Sequence, residues 1–192
     1  MIYKKPLNQF VSEYIDSKVE NNINNLLSTA EKRHLKKYEI LADLGNYTNG
    51  SYYVDKGILK MYQINNDGKE QIIQFASESW YIQLNESAIF KKPNCFIIQA
   101  IEDCVVYIID FKETRDLMLR DPHYMDFVVK LYSSQLLQAQ ERITMLLKSN
   151  NIEKYQHFLK VYPELVNRIS STDISAYLGI AKESFSRLKK QL

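Results

Sequence analysis

Near the C-terminal end of this 192-residue chain, Lys182, Glu183, Ser184, Ser186, Arg187 and Lys190 are left facing outward from a short helical pattern whose inward positions are Phe185 and Leu188. An arginine so placed can pair bidentately with guanine O6 and N7, a glutamate can accept from cytosine N4, and a lysine can reach guanine or a phosphate. Just upstream, Ser170, Ser171 and Thr172 stand where another helical pattern begins. Short hydroxyl side chains and backbone N–H groups at a helix start suit phosphate contacts, which position a module without reading bases.

The elements that would carry these groups are two short helices. The first spans Thr172 to Leu178, with Ser170 or Ser171 as its cap and Ile174, Tyr177 and Leu178 inward. Gly179 closes it, where a left-handed backbone favours glycine, and Ile180 plugs the turn before the second helix. This is a helix-turn-helix pattern, whose second helix can enter a major groove. A plain helical hairpin with a solvated polar face remains the alternative. Charge points weakly the same way. Residues 148–192 hold 8 Lys/Arg against 4 Asp/Glu, whereas residues 1–147 hold 17 against 19. A basic module on a nearly neutral body suits a polyanion partner.

Upstream, Asp121-Pro122 is a helix start, a cap followed by proline in the first turn. Met125, Val129, Tyr132, Leu136, Ala139, Ile143 and Leu146 then recur at alternating spacings of four and three. That heptad seam predicts a homodimer through a two-stranded coiled coil. A second stripe, Val128, Leu131 and Leu137, can pack on the chain's own body, and a helix packed only on that body is the alternative. Ser149-Asn150-Asn151 marks a polar boundary, and Ile152, Tyr155, Phe158, Leu159 and Tyr162 form a further amphipathic helix ending before Pro163.

From about Tyr38 to Phe111, short β-rich runs alternate with turn residues. Ser51 to Val54 and Ile58 to Ile64 flank Lys56-Gly57, Asn66-Asp67-Gly68 precedes Gln71 to Phe75, and Phe96 to Ile101 and Val105 to Ile109 complete the set. Asp-Gly between alternating runs is a hairpin signal, and the strand spacing predicts a small barrel or sandwich. Before it, Leu7, Phe10, Val11, Tyr14 and Ile15 give one apolar helical face, Asn21 to Asn25 loosen or end a helix, and a second helix covers about Leu26 to Leu35.

The segment ISSTDISAYLGIAKESFSRLKKQL resembles, without a gap, the helix-turn-helix of the Crp-Fnr family of cyclic-AMP-receptor-like regulators, including D-I-x-x-Y-L-G-I and K-E-S-F-S-R. SYYVDKGILKMYQINNDGKEQIIQFA is similar to the central strands of that family's cyclic-nucleotide-binding barrel. IIQAIEDCVVYIIDFKETRDLM is similar to its closing strands and the helix after them, and EKYQHFLKVYPELVNRIS resembles the subgroup common in Bacteroidetes-type bacteria. The resemblance implies that Lys182, Glu183 and Arg187 read bases and that Ser171 and Ser184 contact phosphate. It implies double-stranded DNA with an inverted-repeat operator as partner, with RNA polymerase as a further candidate.

The same resemblance marks a departure. The family's phosphate cassette is Gly-Glu-Leu, followed some ten residues later by Arg-Ser/Thr-Ala, in which arginine neutralises the phosphate and glutamate takes the ribose hydroxyl. Here Gln83-Leu84 stands roughly where Gly-Glu would be and Asn94-Cys95 near Arg-Ser. Cyclic AMP is therefore expected to bind weakly or not at all. Trp80, Gln83, Leu84, Asn94, Cys95 and Tyr132 are the candidate effector-pocket residues, and a self-filled core explains the aromatics among them equally well. Lys91 and Lys92 are read as solvated.

The expected fold is α+β: a cyclic-nucleotide-binding-type β-roll in residues 1–120, a dimerisation helix in 121–148 and a helix-turn-helix in 149–192. No metal site or cofactor is expected. Cys95 and Cys104 form no ligand pattern and suit a reducing cytosol, and His34, His123 and His157 are scattered. The N-terminus MIYKKPLNQF has no signal-peptide core and no apolar run is long enough for a membrane span, so a cytoplasmic protein is expected. No nucleophile–base pair or phosphate loop suggests an enzyme. The competing function is a metabolite- or partner-sensing dimer without DNA binding, which would leave the Lys182–Glu183–Arg187 face unused.

Overall fold

The computed structural model describes residues 16–190. The apolar face at Leu7 to Ile15 lies outside these. The first described helix, α1 (Ser17–Thr29), starts on Asp16, whose carboxylate accepts from the backbone N–H groups of Lys18 and Val19. It runs straight through Asn21 to Asn25, which correct the expected break. Asparagine disfavours helix interiors only mildly, and docking outweighs that. Val19 is buried against Tyr124, Phe127 and Val128, and the Asn22 amide donates to Asp121 Oδ2 at 2.9 Å. The expected second helix over Leu26 to Leu35 is also corrected: α1 ends at Thr29, and Glu31–Leu35 is strand β1. Its residues pair antiparallel with the last strand, Leu35 opposite Cys104, and that ladder decides its conformation.

The β-region is therefore wider than its sequence signal. It holds β1, β2 (Ile40–Ala42), β3 (Gly50–Lys56), β4 (Leu59–Ile64), β5 (Glu70–Ala76), β6 (Tyr81–Gln83), the single-turn helix α2 (Asn85–Ala88), β7 (Ile97–Ala100) and β8 (Cys104–Asp110). Two antiparallel four-stranded sheets result, in the orders β1-β8-β3-β6 and β2-β7-β4-β5. Alternation supplies the interior: Tyr52 and Val54 of β3, Leu59 and Met61 of β4, Ile98 and Ala100 of β7, and Cys104 and Val106 of β8 share one buried cluster. Asn65 Oδ1 accepts from the Asp67 and Lys69 N–H groups, and Gly68 at φ 74° closes the β4–β5 hairpin. Strands β3 and β4 are neighbours in sequence yet lie in different sheets, joined through Gly57 at φ 96°.

Helix α3 (Phe111–Arg120) follows, capped by Asp110, and then α4 (Pro122–Lys148), capped by Asp121 onto the His123 N–H with Pro122 in its first turn. On α4, Val128 and Leu131 pack on the body, while Leu137 remains 43% exposed. A reciprocal capping box between Asn150 and Glu153 starts α5 (Asn151–Val161). The last two helices are α6 (Ser171–Leu178) and α7 (Lys182–Lys189). The architecture is α+β, an N-terminal β-roll followed by helices that end in a helix-turn-helix.

Candidate nucleic-acid interface

Helix α6 begins one residue earlier than its sequence pattern, and Ser170 is its cap. The Ser170 hydroxyl accepts from the Asp173 N–H at 3.0 Å and donates to Asp173 Oδ2 at 2.6 Å, so it is already engaged within the turn. Gly179 adopts φ 65°, ending α6 in the left-handed conformation expected of it. Ile174, Tyr177 and Leu178 of α6, Ile180 of the turn, and Phe185 and Leu188 of α7 are all buried, and Tyr155 of α5 meets Phe185 edge to face at 5.1 Å. With its apolar side fixed there, α7 turns Lys182, Glu183, Arg187 and Lys190 to solvent and leaves Ser184 half-buried. Ser171 and Thr172 are exposed, and Lys189 Nζ lies 3.4 Å from Ser171 Oγ, which ties the start of α6 to the end of α7. The structure thus places the base-reading and phosphate candidates on one continuous surface.

Three contacts that the sequence did not reveal seat α6 against the β-roll. Lys60 of β4 reaches Asp173 in the first turn of α6 at 3.2 Å and also pairs with Glu70. Burial works to lower the pKa of this lysine, but the two carboxylates outweigh it and hold the ammonium above its ordinary value. Arg168 forks onto Glu78, at 3.0 and 2.7 Å, and pairs with Glu102 as well. That guanidinium, helped by the Gly57 N–H at 2.9 Å, pulls the Glu78 carboxyl down to about 2. Finally, Arg142 of α4 donates to the carbonyls of Ile72 and Ile73 in β5 and of Tyr177 in α6, and its guanidinium carbon sits 4.0 Å from the Tyr177 ring centroid.

The candidate effector residues do not converge. Trp80 and Leu84 belong to the buried cluster between the two sheets. Gln83 points the other way and accepts from the Tyr132 hydroxyl at 2.8 Å. Asn94 is a loop clamp, donating from Nδ2 to the Asp43 carbonyl and exchanging backbone hydrogen bonds with Gly45 and Asn46. Cys95 is half-buried, and its carbonyl accepts from Gln63. Lys91 and Lys92 are exposed, as expected. Cys104 is buried; its thiol, pushed up to about 11 by burial, lies 3.1 Å from the Glu102 carbonyl. His34 and His123 are exposed and His157 is half-buried, its pKa lowered by burial. Among the described residues, no helix is long and apolar enough to cross a membrane.

On the dimer candidates, α4 leaves Met125, Val129, Leu136 and Ile143 at 49%, 52%, 61% and 56% exposure, with Ala139 also exposed and Tyr132 and Leu146 half-buried. A row of large apolar side chains left in water along one helix is a surface that wants a partner.

Residues 32–121 match the family described as cyclic nucleotide-binding domain. The chain is similar to the anaerobic regulatory protein of Haemophilus influenzae, at 28% identity over 168 residues that cover 82% of this chain and 65% of that protein; it therefore spans just under two thirds of that relative's length. In three dimensions it is similar to FixK2 from Bradyrhizobium japonicum, with a TM-score of 0.74 at 20% identity over 85% of this chain and 84% of that one. It is also similar to the c-di-GMP responsive global regulator CLP of Xanthomonas campestris, with a TM-score of 0.69 at 15% identity over 90% of each chain.

Proposed function

We propose that this chain, which belongs with the Crp/Fnr regulators in sequence and fold, is a dimeric, sequence-specific DNA-binding transcription regulator and not an enzyme. One observation carries the reading. In the helix-turn-helix, α7 buries Phe185 and Leu188 and presents Lys182, Glu183 and Arg187 together to solvent. Residues of these three types on one exposed helix face can read guanine and cytosine edges in the major groove. Lys190, Ser184, Ser171 and Thr172, with the N–H groups opening α6, are the groups we assign to phosphate, while Ser170 serves as the cap. The seam on α4 supplies a second copy, so the operator is an inverted repeat with half-sites about 34 Å apart. We assign residues 1–120 to sensing, 121–148 to dimerisation and 149–192 to DNA binding, with cytoplasmic location and RNA polymerase as a further partner.

The sensor is not read as a cyclic-AMP receptor. Leu84 is buried in the β-roll core and Asn94 is engaged with its own loop, so neither offers the glutamate and arginine chemistry that a ribose and a cyclic phosphate require. The deciding experiment is selection of bound sequences from random duplexes. The intact chain should return an inverted repeat. Arg187→Ala should relax one base position in each half-site and cost about 1–3 kcal/mol per lost bidentate contact. Recovery of no common motif by the intact chain, with and without cell extract as an effector source, overturns the reading.

A further inference from the structure

An inverted repeat is read only if two reading faces stand at a fixed separation and a fixed rotation about the duplex axis. One base pair added between half-sites moves them apart by about 3.4 Å and turns one about 35° round the helix relative to the other. Selectivity for spacing therefore needs a stiff path from the seam on α4 to the outward face of α7. The covalent path does not supply it. The chain leaves α4 through Ser149, whose backbone is extended at φ −92° and ψ 144°. Between α4 and α5 lies an open groove of about 690 Å³, lined by Leu137, Glu141 and Met145 from one helix and by Glu153, His157 and Lys160 from the other.

Arg142 bypasses that elbow. It stands on α4 between the seam positions Ala139 and Ile143 and is half-buried. Its Nη2 donates to the Tyr177 carbonyl of α6 at 2.9 Å and to the Ile72 carbonyl of β5 at 2.8 Å, and its Nη1 donates to the Ile73 carbonyl. Its guanidinium carbon lies 4.0 Å from the Tyr177 ring centroid, within cation–π range. Tyr177 is 35 positions away in the chain and is buried in the same cluster as Phe185 and Leu188 of α7. One planar fork thus holds the dimer helix, the sheet and the helix-turn-helix together. Among the described residues no carboxylate pairs with it, so its donors are given to backbone geometry. Lys60–Asp173 and Arg168–Glu78 also seat the helix-turn-helix, but they tie it to the β-roll and not to α4. We infer that Arg142 is the positioning residue that sets half-site spacing: it acts as a strut that fixes α7 against the seam through Tyr177, without touching DNA. The inference rests on the regulator reading above, since it concerns how that dimer meets its operator.

The test uses the full-length chain and the half-site recovered by its own selection. Duplexes carry that half-site as an inverted repeat with the recovered spacer, and with spacers one and two base pairs shorter or longer. The intact chain should bind the recovered spacing roughly tenfold or more tightly than its neighbours. Arg142→Gln, which cannot bridge the three carbonyls, should flatten that ratio to about threefold or less. Base preference within each half-site, and affinity for a duplex with a single half-site, should stay unchanged, because Lys182, Glu183 and Arg187 keep their places on α7. A residue that merely stabilised the fold would weaken every spacing alike. If circular dichroism shows Arg142→Gln unfolded, Arg142→Lys takes its place with the same expectation, since its nitrogen falls one bond short and lacks the fork. Spacing preference as sharp as in the intact chain, loss of base preference along with it, a variant that sediments as a monomer, or unfolding of both variants overturns the assignment. An intact chain that recovers a half-site but binds all the spacers alike sinks the strut and leaves the DNA reading standing. An intact chain that recovers no motif sinks the DNA reading, and the strut with it.

Discussion

Arg168 and Glu78 show how a single residue pair makes this molecule sensitive to acid. The Glu78 carboxyl is held at about 2 in the folded chain, against an ordinary 4.5, first because Arg168 hydrogen-bonds to it. A depressed carboxyl contributes stability that is present above its unfolded pKa and is lost as pH falls through the folded one. Stability should therefore decline between about pH 4.5 and pH 2 for this reason, by an amount moderated by solvent, since the Glu78 side chain is 39% exposed. Glu78→Gln should flatten the dependence of denaturation midpoint on pH over that window; an unchanged slope would mean that the pair does not couple to folding. At Gly57 a side chain meets a different limit. A Cβ there would lie 2.8 Å from the Asp103 carbonyl oxygen and 2.5 Å from Cys104 Sγ, on a backbone at φ 96°. Gly57→Ala should cost about 1–3 kcal/mol in chemical denaturation. The outward residues of α7 were legible in the sequence because a helical period and a terminal glycine fix a face locally. Lys60, Arg142 and Asp173 were not, because their partners are remote: Lys60 and Asp173 are 113 positions apart.

At the scale of elements, α4 is where pattern and structure agree most closely. Asp121 caps it, Pro122 opens it, and five of the seven positions in the 4–3 row are exposed, Tyr132 and Leu146 being half-buried. If that side is the dimer seam, Leu136→Glu or Ile143→Glu should convert dimer to monomer, since an unpaired charge buried between helices costs about 3 kcal/mol or more. Sedimentation of each variant checks it, and an unmodified chain that already runs as a monomer at micromolar concentration refutes the seam. The β4–β5 hairpin was legible through Asp67-Gly68 and its alternating flanks. The three-residue strands β2 and β6 were too short to show a period. Strand β1 read as helix because its five residues, Glu-Lys-Arg-His-Leu, carry a single buried position, Leu35, and owe their extended form to β8.

At the scale of the whole molecule, one apolar cluster serves both ends of the chain. Ile58, Tyr62, Ile72 and Phe75 of the β-roll region share it with Phe158, Tyr162, Tyr177 and Phe185 of the C-terminal helices. Phe75 is the link, its ring 6.4, 6.1 and 5.4 Å from those of Phe158, Tyr162 and Tyr177. Phe75→Ala should cost about 3–5 kcal/mol, and it should loosen β-roll and helix-turn-helix amides together in hydrogen exchange. Loss of protection confined to one of them would show two separate cores. The shared cluster also bears on how far the last two helices can be transplanted. A chimaera that grafts residues 149–192 onto a foreign β-roll would carry the exposed face of α7 intact, yet leave Tyr162 and Tyr177 facing a surface that has no Phe75, and strand Arg168 without Glu78 or Glu102. The outward side chains would travel, but the socket that seats their helix would stay behind.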